Sequence, residues 1–126
     1  MKYLLPFILY SMSFTQNISF YDKDGESFAD VNLDNFTFNC RVAGVENEGE
    51  AVILLHGLPE TSRMWFNLME VLASQGFKVV APDQRGYSPG ARPKNISAYT
   101  IDKLSRDVIN IADQFKFEKF HLIGHD

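Results

Sequence analysis

The sequence predicts an α/β fold: an antiparallel hairpin, then parallel strands joined by crossover helices. Two observations predict it. Short apolar runs alternate with segments of helical periodicity from Ala51 to Ile123. Ahead of them, two segments of strict two-residue alternation flank a turn. A strand–helix–strand–helix–strand order is satisfied by parallel pairing with right-handed crossovers.

The hairpin comes first. Ala29, Val31 and Leu33 alternate with polar residues, Asp34-Asn35 supplies a two-residue turn, and Phe36, Phe38, Cys40 and Val42 alternate again. One face is therefore buried, and Cys40 reads as a small core residue on it. The preceding stretch, Tyr21 to Glu26, is polar and reads as lying before the regular pattern. Gly44 to Glu50 is an acidic loop. Ala51 to Leu55 is an uninterrupted apolar run, which suits a strand buried on both faces. Thr61 or Ser62 can cap a helix reaching Gln75, with an apolar stripe of Met64, Trp65, Leu68, Met69 and Leu72 and a stop at Gly76. Phe77 to Ala81 is the next strand. The loop from Pro82 to Pro93 holds three prolines and two glycines. Thr100 then caps a second helix, where Ile101, Leu104, Val108, Ile111 and Phe115 form a stripe. Asp102–Arg106 and Lys103–Asp107 stand four residues apart on what reads as its solvated side. Phe120 to Ile123 is the last strand.

A net charge of −4 spread along the chain gives no footprint for nucleic acid. Hydrophobic content of 45% is that of a globular chain, and 126 residues suit one domain. A single cysteine excludes a disulfide scaffold and a cysteine-rich metal centre. No run is long enough to cross a bilayer as a mature helix. Met1 to Gln16 has the lysine, apolar stretch and Ser-x-Ser of a short secretory signal, though Pro6 interrupts it. The expected division is thus a signal and extension over 1–27 and a partial domain over 28–126. The signal implies a secreted or periplasmic protein; the same residues read as an extra strand or arm leave it cytoplasmic. Sequons begin at Asn17, Asn35 and Asn95 and matter only in a eukaryotic secretory route.

Three segments fall where parallel strands end, the place open α/β sheets put their sites. They are His56-Gly57-Leu58-Pro59, Asp83-Gln84-Arg85-Gly86-Tyr87 and Gly124-His125-Asp126. The last, after an apolar run, has the form of the first half of a nucleophile elbow with Asp in the nucleophile position.

With these motifs, HGLPETSRMW at 56–65, DQRGYSPGARP at 83–93 and HLIGHD at 121–126, the chain resembles the α/β-hydrolase superfamily. Within it the likeness is to the branch with an aspartate nucleophile, the epoxide hydrolases and haloalkane dehalogenases. It covers residues 28–126, the N-terminal portion of that fold, truncated at the elbow. The resemblance implies that Asp126 is the nucleophile and that Leu58 N–H is one oxyanion donor in the loop of His56, Gly57 and Pro59. It implies that Gly124 and His125 form the elbow and that Asp83, Arg85 and Gly86 support the site through local hydrogen bonds. It implies a cis Leu58–Pro59 bond. It implies no cofactor and no metal, and as partners a small hydrophobic substrate and water. Leu58 departs from the aromatic residue frequent in epoxide hydrolases and from the polar, halide-holding residue frequent in dehalogenases, which tilts the reading to the epoxide side. The resemblance places the base and the helical cap after the elbow, so the segment itself is expected to be inactive. Haloalkane dehalogenation and a non-catalytic hydrolase-fold binding protein are the alternatives; a serine esterase is disfavoured by Asp126.

Overall fold

The computed structural model describes residues 17–126; the export signal read over Met1–Gln16 lies outside them. Six strands form one mixed sheet: β1 (Ile18–Lys23), β2 (Glu26–Leu33), β3 (Phe36–Ala43), β4 (Ala51–Leu55), β5 (Lys78–Pro82) and β6 (His121–Gly124). Their order is β1-β2-β3-β5-β4-β6. The first three are an antiparallel meander, β3 pairs antiparallel with β5, and β5, β4 and β6 run parallel. Ala51–Leu55 lies between the other two parallel strands.

β1 is the element the sequence pattern did not disclose. Its side chains are almost all exposed, so burial imposes no two-residue period on it. The polar stretch Tyr21–Glu26 is strand and turn. Asp24 and Gly25 take φ of 53° and 80°, the double left-handed geometry of a two-residue hairpin turn, and Asp-Gly is its usual sequence. At the next turn only the first residue is left-handed, Asp34 with φ 52°.

Helix α1 (Phe66–Ser74) and helix α2 (Ile101–Gln114) cover opposite faces. Val108, Ile111 and Ala112 of α2 pack with Ala29, Val31, Phe38, Cys40, Ile53 and Val80. Met69 of α1 and Trp65 just before it pack with Val52, Leu54, Val79 and Ala81. β4 thus feeds alternate side chains into two cores, which is why its run of apolar residues has no polar break. The first helix starts with a 3₁₀ turn, Ser62–Trp65, capped by Thr61, whose Oγ1 accepts from Arg63 N–H at 3.4 Å. Thr100 Oγ1 accepts from Lys103 N–H at 3.4 Å at the head of α2, as its sequence predicts. Ile101, counted in the α2 stripe, is exposed at that head.

Cys40 is fully buried on the α2 face. Burial, and behind it the carboxylates of Asp83 and Asp30, push its thiol far above the ordinary range. Only the thiolate reacts, so Cys40 will resist Ellman's reagent in the native protein at pH 8 and react on unfolding in guanidinium. Its contribution to stability is whole below the ordinary thiol pKa, and shrinks as pH rises above it toward the raised native value, because the unfolded chain then releases a proton the native one keeps.

Candidate active site

β4 ends at Leu55 and the chain turns at once. Glu60 N–H donates to Gly57 O at 2.9 Å, closing a four-residue turn, and the Leu58–Pro59 bond is cis, as expected. Leu58 stands at the turn's apex, 80% exposed, and its N–H has no hydrogen-bond partner among the described residues. β6 reaches the same place from the adjacent position. His125 N–H donates to Leu55 O at 3.0 Å, carrying the β4–β6 pairing past Gly124. This lays the Asp126 backbone against Gly57. A Cβ built on Gly57 would lie 2.5 Å from the Asp126 carbonyl carbon and 2.6 Å from His125 O, so only glycine fits. Gly124 is different: a Cβ there would meet nothing within 4 Å among the described residues.

The loop after β5 holds this turn from one side. His56 is buried, and its Nε2 lies 3.1 Å from the N–H of Gln84, a group that can only donate. Its Nδ1 lies 3.0 Å from Gly57 O, which can only accept. Both contacts require the neutral ring with the proton on Nδ1. The Gln84 side-chain amide donates back to His56 O. Tyr87 sets its ring edge-on to the imidazole at 4.6 Å. Asp83 Oδ1 accepts the N–H of Ser62 at 2.8 Å, at the head of the 3₁₀ turn. Ser88, fully buried, accepts from Asn39 N–H at 2.9 Å and donates to Asp83 O. Gly86 takes φ 94°, and a Cβ there would sit 3.1 Å from the Tyr99 ring.

Arg85 fixes the far end of that loop. Its Nε and Nη2 donate to the two oxygens of Asp107 at 2.8 Å each, Nη1 donates to Ala98 O at 2.8 Å, and the guanidinium stacks on Phe36 at 4.7 Å. This corrects the reading of Asp107 as a solvated partner of Lys103. Asp107 is buried, and neither i,i+4 pair of α2 forms an ion pair among the described residues. A partner 22 residues upstream takes the carboxylate instead.

The structure therefore brings His56, Gly57, Leu58, Pro59, His125 and Asp126 together, with Asp83, Arg85 and Gly86 one layer behind. Sequence reasoning missed Gln84, Ser88 and Asp107. Gln84 and Ser88 stand in the 83–93 motif with no role assigned to them, and Asp107 stands one position before Val108 at the flank of the apolar stripe. His121 lies at the opposite end of β6, where its Nε2 is 2.7 Å from Glu50 Oε2. Trp65 belongs to the α1-side core. No metal-ligating cluster of three His, Cys, Asp or Glu side chains and no helix long and apolar enough to cross a membrane is found among the described residues.

A mixed sheet whose adjacent parallel strands end, one in Gly-His-Asp and the next in a His-Gly-x-Pro turn, has the arrangement of the α/β class whose sites are built on a nucleophile elbow. The family described as alpha/beta hydrolase fold matches residues 50–126, and the chain belongs to it; within that family it is similar to epoxide hydrolases. The chain is 42% identical over 103 residues to AB hydrolase superfamily protein YfhM of Bacillus subtilis, covering 82% of this chain and 36% of that one. It is 43% identical over 75 residues to Epoxide hydrolase A of Mycobacterium tuberculosis, covering 60% and 23%. The crystal structure of epoxide hydrolase VrEH1 from Vigna radiata superposes with a TM-score of 0.71 at 30% identity, covering 87% of this chain and 32% of that chain. The chain thus spans about a third or less of the length of these relatives.

Proposed function

We propose that these residues are the nucleophile-bearing part of an epoxide hydrolase acting on small hydrophobic epoxides. The observation that supports the proposal is the close approach of Gly57 to the Asp126 backbone, one residue before the unpartnered Leu58 N–H. In the first step an Asp126 oxygen attacks a ring carbon, the C–O bond of the epoxide breaks, and the ring oxygen leaves as an alkoxide that takes up a proton. In the second, water loses a proton to a base and attacks the carbonyl of the ester. That carbonyl belongs to Asp126, so the oxyanion forms on the enzyme, where Leu58 N–H stabilises it. The ester then breaks to the diol and free Asp126.

None of the three histidines is placed to be that base. His56 has both nitrogens engaged, His121 sits at the far end of β6, and His125 is adjacent to the nucleophile in the chain with no carboxylate partner among the described residues. The 126-residue segment will therefore release no diol above background, and an ester formed on Asp126 will persist. A longer chain that includes it will turn over. A single turnover there in ¹⁸O water will place the label in the Asp126 carboxylate, because water attacks the enzyme's carbonyl. Diol release by the segment alone overturns its assignment as inactive. Label entering the diol directly, with none in Asp126, removes Asp126 from the reaction; halide release from haloalkanes in place of diol formation assigns dehalogenation instead.

A further inference from the structure

We propose that Gln84 is the positioning residue of the oxyanion-side turn, fixing His56 from two sides so that the turn carrying Leu58 N–H keeps its close approach to the Asp126 backbone. The inference rests on the role given to Leu58. It starts from an asymmetry in how the turn is held. Toward β6 it makes a close backbone approach at Gly57, which is contact without a bond. Toward β5 it is bonded twice, and both bonds come from one residue. The main-chain N–H of Gln84 donates to His56 Nε2 at 3.1 Å, and the side-chain amide of the same residue donates to His56 O.

Two bonds from one residue set two different things. The first sets the imidazole. A ring that must accept at Nε2 keeps its proton on Nδ1, which then points at Gly57 O 3.0 Å away. The proton on Nδ1 draws the Gly57 carbonyl toward the ring, and the same carbonyl accepts from Glu60 N–H at 2.9 Å to close the turn. The second bond sets the peptide plane. His56 O belongs to the His56–Gly57 peptide, so the direction of that carbonyl fixes the Gly57 N–H and the entry into the turn. The donor is required at this point: a carbonyl can be held only by an N–H or O–H, and Gln84 presents its NH₂ there. Tyr87, edge-on to the ring, prevents the imidazole from swinging out. Gln84 is itself anchored, because Tyr87 and Ser88 N–H both donate to Gln84 O, at 2.8 and 3.0 Å.

The test is nitrogen-15 NMR of the protein without any substrate, so that failure here is distinct from failure of the Leu58 assignment. In the wild-type protein the His56 ring will show the Nδ1–H tautomer; the Nε2–H tautomer overturns the proposal. Gln84→Glu keeps the side chain's size and removes the donor. It will leave the Nδ1–H tautomer in place, because the main-chain N–H of residue 84 remains, and raise hydrogen exchange at the amides of residues 60 and 84 by ~10-fold or more, with the β2–β3 amides unchanged. Unchanged exchange in the variant overturns the proposal. So does a loss of protection that includes the β2–β3 amides, because Gln84 would then hold the fold and not the turn.

Discussion

Asp107→Ala will lower the stability of the domain by about 3–5 kcal/mol, read as a fall in the urea midpoint with unchanged slope. The Arg85 and Asp107 side chains are each about nine-tenths buried, at 10% and 12% exposure, and they meet through two parallel bonds of 2.8 Å. Taking away the carboxylate leaves a guanidinium buried with only Ala98 O and the Phe36 ring as partners. The cost is that of an uncompensated buried charge, which exceeds the net worth of the pair. Arg85→Lys will also destabilise, because an ammonium has neither the fork that matches two carboxylate oxygens nor the flat face that stacks on Phe36. A Asp107→Ala variant as stable as the wild type would show that water reaches Arg85 and that the loop is not clamped to α2.

Gly57→Ala will do its damage at a single contact. The added methyl would stand 2.5 Å from the carbonyl carbon of Asp126 and 2.6 Å from His125 O, both main-chain atoms that cannot rotate away. Turn and strand must separate. Overpacking of this kind costs about 1–3 kcal/mol, and the His125 N–H to Leu55 O bond of 3.0 Å lies directly in its path. Hydrogen exchange at His125 will accelerate. In a catalytically competent chain, turnover will fall by roughly 100-fold or more, since about 1 Å of misplacement between a nucleophile and its oxyanion donor has that effect. A variant with native exchange at His125 and native turnover would contradict the close approach.

These two sites also mark what could and could not be read from the sequence. β4 was legible because burial on both faces removes polar residues from Ala51–Leu55, and the second helix because its stripe has a helical period. The three strand-end motifs were legible because the chemistry of the turn demands particular residues. β1 was not, because it is exposed and its only sign was Asp24-Gly25. Asp107 was misread because its sequence neighbours offered a sufficient local partner, and nothing in a pattern says that an arginine from a distant loop will displace it. Gln84 was invisible for another reason. One of its two bonds to His56 is made by the main chain, which every residue except proline carries, and the other depends on a loop path that spacing does not encode.

The strand order has a consequence in time. Both neighbours of β4 follow it in the chain: β5 begins 27 residues after Ala51 and β6 begins 70 residues after it. At about 5–20 residues per second, a ribosome exposes β4 for roughly 1–5 s before β5 is made and for roughly 4–14 s before β6 is made. β1 to β3 pair with one another as they emerge, through two-residue turns. β4 is the most apolar strand of the sheet and has nothing to pair with while it waits. During synthesis the segment most exposed to wrong partners is therefore one of the two most buried strands of the finished sheet, and the loop and helix between β4 and β5 set how long that exposure lasts.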